Sequence, residues 1–126
     1  MMEIKGNMMS VREDVLVLDA TLRDGGLVND FYFSDDFVHD LYKANLEAGV
    51  DYMEFGYRAD KKQFDVNKFG KWKFAEDEAI REIVGDNDTD MKISIMADVG
   101  RCDYRHSIKD RADSPVDLIR VATYIN

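Results

Sequence analysis

The residues best suited to chemistry in this 126-residue sequence follow a short apolar run near its N-terminus. The run, Val15 to Leu18, ends in a polar group: Asp19, Thr21, Arg23, Asp24 and the pair Gly25-Gly26. A buried strand that ends in carboxylates, an arginine and two glycines suggests the mouth of an α/β active site. Because Arg23 and Asp24 are adjacent, we expect only a loop or a strand end to aim both at one ligand. An ordinary turn with a surface ion pair is the alternative.

The string Asp19–Gly26, DATLRDGG, resembles a known signature. It is similar to the first-strand pattern of the DRE-TIM metallolyases, Asp-x-Thr-Leu-Arg-Asp/Glu-Gly. A second segment, Ala48–Gly56 or AGVDYMEFG, resembles the second strand of the same superfamily. That superfamily includes 4-hydroxy-2-oxovalerate aldolase, 3-hydroxy-3-methylglutaryl-CoA lyase, isopropylmalate synthase and homocitrate synthase.

The resemblance implies a metal-dependent aldolase or lyase that breaks or forms a C–C bond through the enolate of a 2-oxo acid. Arg23 would stabilise the enolate, and Asp24 would bind a divalent cation such as Mn²⁺, Mg²⁺, Co²⁺ or Zn²⁺. Two more metal ligands, a His-x-His pair on the seventh strand in the superfamily, are expected only in a complete barrel. Further candidates for binding a small 2-oxo or hydroxy-oxo acid, chosen by location, are Asp19, Thr21, Asn29, Glu54, Asp98 and Arg101.

The sequence departs from the superfamily at Leu27, where related aldolases have a histidine and the lyases have a glutamine. The catalytic base is therefore not identified. His39 and His106 have no partner at metal-ligand spacing and do not replace the missing pair. A Claisen-type condensation with an acyl-CoA is the enzymatic alternative. The non-enzymatic alternative is a folded fragment or assembly module that self-associates or pairs with a complementary half.

Composition excludes several classes of partner. The net charge of −9 and the pI of about 4.6 argue against nucleic acid and anionic membranes. No apolar run approaches the roughly 20 residues of a membrane span, and the N-terminus has no signal-peptide core. The single cysteine, Cys102, excludes an intrachain disulfide, so we expect a cytoplasmic protein.

The elements that must position the candidate residues alternate between strands and helices. Residues 1–14 are expected to be a loose lead-in, and 15–126 a partial TIM-barrel domain. Strands are predicted over 15–19, 50–56, 91–99 and 118–122, and helices over 35–48, 76–84 and a short part of 104–114. The segment 57–74 is rich in basic and aromatic residues, and we interpret it as a lid, a subunit contact or an ordinary loop. The chain therefore predicts the N-terminal part of a TIM (β/α)8 barrel, roughly (βα)3β4 with parallel strands, since a whole barrel needs about 250 residues.

Overall fold

Four parallel strands in sequence order, β1-β2-β3-β4, form the single sheet of the computed structural model, which describes residues 12–124. The strands are β1 Leu18–Asp19, β2 Tyr52–Tyr57, β3 Lys92–Asp98 and β4 Leu118–Ala122. The helices are α1 Thr21–Asn29, α2 Asp35–Ala48, α3 Asp77–Val84 and α4 Tyr104–Ser107, with 3₁₀ turns at Lys71–Lys73 and Arg111–Asp113. This order matches the start of a (β/α)8 barrel, so the predicted α/β fold class is confirmed. Most of the predicted lead-in, residues 1–11, lies outside the described range.

The two faces of the sheet differ in chemistry. On one face, apolar side chains of β2 and β3 join buried residues of α2 and α3 in one core: Met53, Phe55, Ile93, Ile95, Val38, Tyr42, Ile80 and Ile83. Glu54 and Ser94 alternate with the strand residues of that core and therefore lie on the opposite face, which we call the polar face. The helices thus cover the apolar face and leave the polar face for the candidate site.

Helix α2 forms where the sequence predicts it, at residues 35–48. The Ser34 hydroxyl accepts a hydrogen bond from the Phe37 backbone N–H at 3.1 Å, as expected for an N-cap. Gly49 ends the helix in the left-handed conformation, with φ of 74°. Phe37, in the first turn, is exposed, and its ring stacks on that of Phe33 with centroids 5.6 Å apart.

Strand β1 is shorter than predicted, since it has two residues rather than the five of 15–19. The backbone N–H of Val17 donates to the Asp51 carboxylate at 2.7 Å instead of to a neighbouring strand. The parallel ladder therefore begins only at Leu18, which pairs with Tyr52. Residues 15–17 remain exposed apolar side chains beside the sheet.

Helix α1 corrects the expected loop after the first strand. The helix begins where the Asp24 N–H bonds the Ala20 carbonyl at 2.8 Å, and it buries Leu22 and Gly26 four residues apart. At Gly26 a Cβ would overlap the ring of Phe31, which is buried in the core. This glycine therefore permits close packing of helix and aromatic ring, rather than close approach of a ligand.

The basic and aromatic segment 57–74 packs against the sheet along part of its length. Trp72 is fully buried, and its ring lies 5.4 Å from that of Phe55. Gly56 lies so close to the Trp72 carbonyl that a Cβ would overlap it. The aromatic residues of the segment thus contribute to the core beside β2.

The remaining helices are short. The helix predicted within 104–114 is one turn, α4, followed by a 3₁₀ turn before Pro115. Across residues 12–124, no helix combines the length and apolar character that a membrane crossing requires.

Candidate active site

A buried carboxylate on the polar face organises the candidate site. Glu54 is fully buried, and its oxygens accept hydrogen bonds from three side chains. Arg23 Nε donates to Oε1 at 3.0 Å, and Ser94 Oγ donates to Oε2 at 3.0 Å. Arg120 binds both oxygens, through Nε at 2.7 Å and Nη2 at 2.5 Å. Glu54 therefore holds two arginines at one place, Arg23 from α1 and Arg120 from β4.

The charges of this group favour an ionised Glu54. Burial raises the pKa of the Glu54 carboxyl, but hydrogen bonds from Arg120, Ser94 and Arg23 outweigh burial and hold the pKa below its ordinary value. For Arg23, burial lowers the pKa, but Tyr57 and Glu54 outweigh burial and hold the pKa above its ordinary value. The Glu54 carboxylate thus shares two guanidinium groups, those of Arg23 and Arg120.

Helix α1 places Arg23 and Asp24 side by side, contrary to the expectation that only a loop or strand end could do so. Arg23 Nη1 lies 3.4 Å from Asp24 Oδ1. The Arg23 side chain is 18% exposed and the Asp24 side chain 74% exposed. Asp24 can therefore reach a ligand in solvent, while Arg23 is held between that ligand position and Glu54.

Residues 12–124 do not supply a complete set of ligands for a divalent cation. Among residues 12–124, no group of three or more His, Cys, Asp or Glu side chains is arranged to hold a metal ion. Asp24 by itself supplies one carboxylate, whereas bound divalent cations take several ligands. The described residues therefore do not form a metal site on their own.

Asp19, Thr21 and Asn29 make local contacts rather than contacts with the Glu54 group. Asp19 accepts hydrogen bonds from Thr21 Oγ1 at 2.6 Å and from Asn45 Nδ2 at 3.1 Å, which joins the end of β1 to α2. The Asn29 amide donates to the Tyr32 carbonyl at 2.8 Å and accepts from the Phe31 N–H. These three residues stabilise the turns on either side of α1.

Asp98 and Arg101 lie together after β3. Asp98 is buried, and its Oδ2 accepts a hydrogen bond from the Tyr124 hydroxyl at 3.1 Å. Its Oδ1 is buried without a hydrogen-bond partner among the described residues. The Arg101 guanidinium lies 5.0 Å from the centre of the Tyr124 ring. Burial lowers the pKa of Lys73, while the Asp98 carboxylate raises it and Arg101 lowers it.

Sequence reasoning missed Arg120, Tyr57 and Lys73 as members of the site. One signal for Arg120 was present, because a charged residue in the middle of an apolar strand indicates a polar interior. Lys73 lies in a run of basic and aromatic residues, and nothing in that run distinguishes it from Lys71. Tyr57 ends β2, and its role emerges only from its neighbours in space.

Cys102 and His106 lie apart from the Glu54 group. Burial raises the pKa of the Cys102 thiol, which weakens it as a nucleophile at neutral pH. The exposed His106 ring contacts Asp103 within its own turn, with Nδ1 3.0 Å from Oδ1. Neither residue contacts Arg23 or Glu54.

Comparison with known proteins gives one relative of interest. The chain is 26% identical to 4-hydroxy-2-oxovalerate aldolase 6 of Rhodococcus jostii (strain RHA1) over 116 residues, which cover 90% of this chain and 31% of that protein. The chain thus spans about a third of the length of this curated relative. No family model and no solved structure matches the chain. Together with the parallel sheet, the similarity supports an aldolase-like or lyase-like protein whose fold corresponds to the N-terminal part of a TIM barrel.

Proposed function

We propose that the whole protein is a lyase of the aldolase type, which breaks or forms a C–C bond through the enolate of a 2-oxo acid. The observation that carries this proposal is the position of Arg23, which is anchored on the buried Glu54 and still partly exposed beside Asp24. The similarity to an aldolase supports the same reaction class. The substrate class is a small 2-oxo acid or hydroxy-oxo acid.

Arg23 is suited to hold an enolate oxygen because its geometry is fixed before the reaction begins. Its Nε is occupied by Glu54, while its Nη1 lies toward the exposed Asp24. A guanidinium donor held in this way stabilises negative charge as it develops on the keto oxygen, without reorganisation at the moment of reaction. Within the proposal, Glu54 therefore positions Arg23, and Arg120 supplies additional positive charge.

We also propose that Asp24 binds a divalent cation, Mn²⁺, Mg²⁺, Co²⁺ or Zn²⁺, in the whole protein. The remaining ligands would have to come from outside residues 12–124, because the described residues do not complete a site. The charge stabilisation assigned to Arg23 does not depend on such an ion.

Enolate formation can be measured directly by the exchange of pyruvate methyl protons in D₂O, followed by proton NMR. We expect the whole protein, rather than this chain by itself, to accelerate this exchange, and the substitution Arg23→Met to slow it by about 10²- to 10³-fold, as for loss of one oxyanion donor. Arg105→Met is the matched control, since Arg105 is an exposed arginine that stacks on Tyr104 away from Glu54. It should leave the exchange rate unchanged.

The exchange experiment also separates the enzymatic from the non-enzymatic hypothesis. Exchange no faster than in buffer, with or without Mn²⁺, would reject formation of the pyruvate enolate. A Claisen-type condensation forms its enolate on the acyl-CoA, so exchange of acetyl-CoA methyl protons without exchange of pyruvate protons would favour that alternative. Exchange of neither compound would leave the fragment or assembly module. Equal rates for Arg23→Met and Arg105→Met would remove Arg23 from the proposed chemistry.

Self-association is the second candidate, and exposed apolar side chains at the sheet edges favour it. Val15, Leu16 and Val17 are exposed beside β1, and Val121 is exposed on β4. Unpaired edge strands are templates for pairing with another chain. Two copies could join β1 of each sheet to β4 of the other and close an eight-stranded barrel.

Light scattering coupled to size-exclusion chromatography tests this second candidate. We expect a dimer whose population rises with protein concentration, and we expect Val17→Lys to shift it toward the monomer. Val66→Lys is a matched control, because Val66 is an exposed valine in the 57–74 segment and away from both edges. A monomer at every concentration would contradict the proposal.

A further inference from the structure

Arg120 keeps hydrogen-bond donors that its contacts with Glu54 do not use. Its Nε and Nη2 donate to the Glu54 carboxylate at 2.7 and 2.5 Å, and this side chain makes no other hydrogen bond within residues 12–124. A guanidinium carries more N–H donors than these bonds occupy, including both hydrogens of Nη1. The Arg120 side chain is 37% exposed, whereas that of Glu54 is fully buried. A ligand in solvent can therefore reach the remaining donors.

The register of the sheet places Arg120 near the end of the strands where ligands bind. Glu54 pairs with Ser94, and Arg120 pairs with Met96, two residues further along β3. Because side chains two residues apart share a face, Arg120 lies on the polar face, one step nearer than Glu54 to the carboxyl ends of the strands. Arg23 also reaches Glu54 from that end, since α1 follows β1. The carboxyl ends of the strands are where barrels of this kind bind their substrates.

The two arginines lie within reach of one small ligand. Arg23 Nε and Arg120 Nη2 both donate to Glu54 Oε1, at 3.0 and 2.5 Å, so these nitrogens are no further apart than the sum of the two distances. A 2-oxo acid carries its keto oxygen and its carboxylate on neighbouring carbon atoms. One such molecule can therefore contact both guanidinium groups.

The ion pairs of the two arginines differ. Arg23 contacts the carboxylates of both Asp24 and Glu54. Within the described part of the chain, Arg120 contacts only Glu54, and it shares that carboxylate with Arg23. Arg120 is therefore the better placed of the two to bind the carboxylate of a ligand.

We propose that Arg120 binds the carboxylate of the 2-oxo acid, while Arg23 holds its keto oxygen. One edge of the Arg120 guanidinium, Nε with Nη2, donates to Glu54, and the other edge, Nη1 with Nη2, donates to the substrate. Arg120 is thus the residue that selects an acid over a neutral carbonyl compound. This inference rests on the proposed function, because it adds a second contact to the same substrate class at the same site.

The affinities of pyruvate and of its neutral amide, pyruvamide, test the proposal. The two compounds have the same shape and the same keto oxygen, and only pyruvate carries a carboxylate. Each is titrated into the protein and followed by ligand-observed NMR. We expect pyruvate to bind roughly 10- to 100-fold more tightly than pyruvamide, as for a hydrogen bond to a charged group.

Three variants assign this preference to a residue. Arg120→Met should remove the preference by weakening pyruvate alone, and Glu54 then still accepts hydrogen bonds from Arg23 and Ser94. Arg23→Met should weaken both compounds, because both present the keto oxygen. Arg105→Met, at an exposed arginine that stacks on Tyr104, should change neither affinity.

A further variant covers a failure of Arg120→Met to fold, which circular dichroism would reveal. Arg120→Lys keeps a cation for Glu54 but loses the planar fork of the guanidinium. It should reduce the preference for pyruvate several-fold and leave the affinity for pyruvamide unchanged.

Several results would overturn the proposal. These are equal affinities of the wild type for the two compounds, binding of neither, a preference that survives both substitutions of Arg120, and an equal loss of both compounds in a folded Arg120 variant. Methyl-proton exchange that depends on Arg23, together with any of these results, would leave the proposed function standing. A preference that depends on Arg120 without methyl-proton exchange would support the carboxylate site and reject the proposed reaction.

Discussion

Replacing Arg58 with methionine is expected to lower the free energy of unfolding by about 3–5 kcal/mol, the range for breaking a buried ion pair. Arg58 and Asp77 are 4% and 3% exposed, and Nη2 lies 2.7 Å from Oδ1. The same guanidinium donates to the Ala75 carbonyl at 3.0 Å and to the Ser107 carbonyl at 2.5 Å. Methionine fills the volume but leaves a buried carboxylate and two carbonyls without donors. Urea unfolding followed by circular dichroism measures the difference.

The double substitution Arg58→Met with Asp77→Leu separates lost packing from the uncompensated charge. Replacing both partners by apolar residues removes the buried carboxylate, so the double variant should recover a large part of the stability that Arg58→Met loses. Arg12→Met serves as the control, because Arg12 pairs with Asp14 in solvent and should matter little. A double variant as unstable as Arg58→Met alone would show that packing of the guanidinium, rather than its charge, carries the effect.

Glu54→Gln is expected to lower the free energy of unfolding by about 3 kcal/mol at neutral pH. This value is the lower end of the range for breaking a buried ion pair, because Arg120 is partly exposed. The neutral amide cannot compensate two guanidinium groups, and its NH₂ would face an arginine donor. Glu47→Gln, at an exposed position of α2, is the control and should be nearly neutral. Thermal and urea unfolding of the three proteins at pH 7 give the comparison.

The difference in free energy of unfolding between the wild type and Glu54→Gln should decrease as the pH falls. The folded-state pKa of Glu54 lies below its unfolded value of about 4.3, so its stabilisation is fully present above that value. This stabilisation is lost as the pH falls through the folded-state pKa, because the wild-type carboxyl then becomes neutral, like the amide of the variant. Unfolding experiments from pH 7 to about 3 should therefore show the two stabilities converging. A deficit that stays constant over this window would contradict the ionic explanation.

Local sequence signals predicted α2, α3 and the three longer strands because each depends on neighbours in the chain. Ser34 and Gly49 bound α2 through capping contacts within a few residues. Helix α1 is not predicted, because Gly25-Gly26 after a strand favours a loop or strand end, or an ordinary turn, over a helix. The helix is favoured instead by a tertiary contact, the Phe31 ring against Gly26, which no local pattern shows.

The candidate site likewise contains some residues that a local motif predicts and others that only the fold brings together. Arg23 and Asp24 were identified from a short motif, and the structure places them next to each other. The partnership of Glu54 with Arg120 joins residues 66 positions apart and depends on the register of three strands. The side-chain environment of Lys73 depends on rings from three separate parts of the chain. Such contacts depend on the fold, and no fixed spacing in the sequence reveals them.

The two-residue β1 has a consequence for how local stability is distributed. The helix that bears Arg23 continues from a strand with only two paired residues, whereas Glu54 belongs to β2, which is flanked by strands on both sides. Fluctuations that open β1 need break few ladder bonds, while those that open β2 approach global unfolding. The bond between Arg23 and Glu54 therefore joins the residues that follow the short edge strand to the central strand β2. The precision of Arg23 is set less by its own backbone than by a carboxylate 31 residues away.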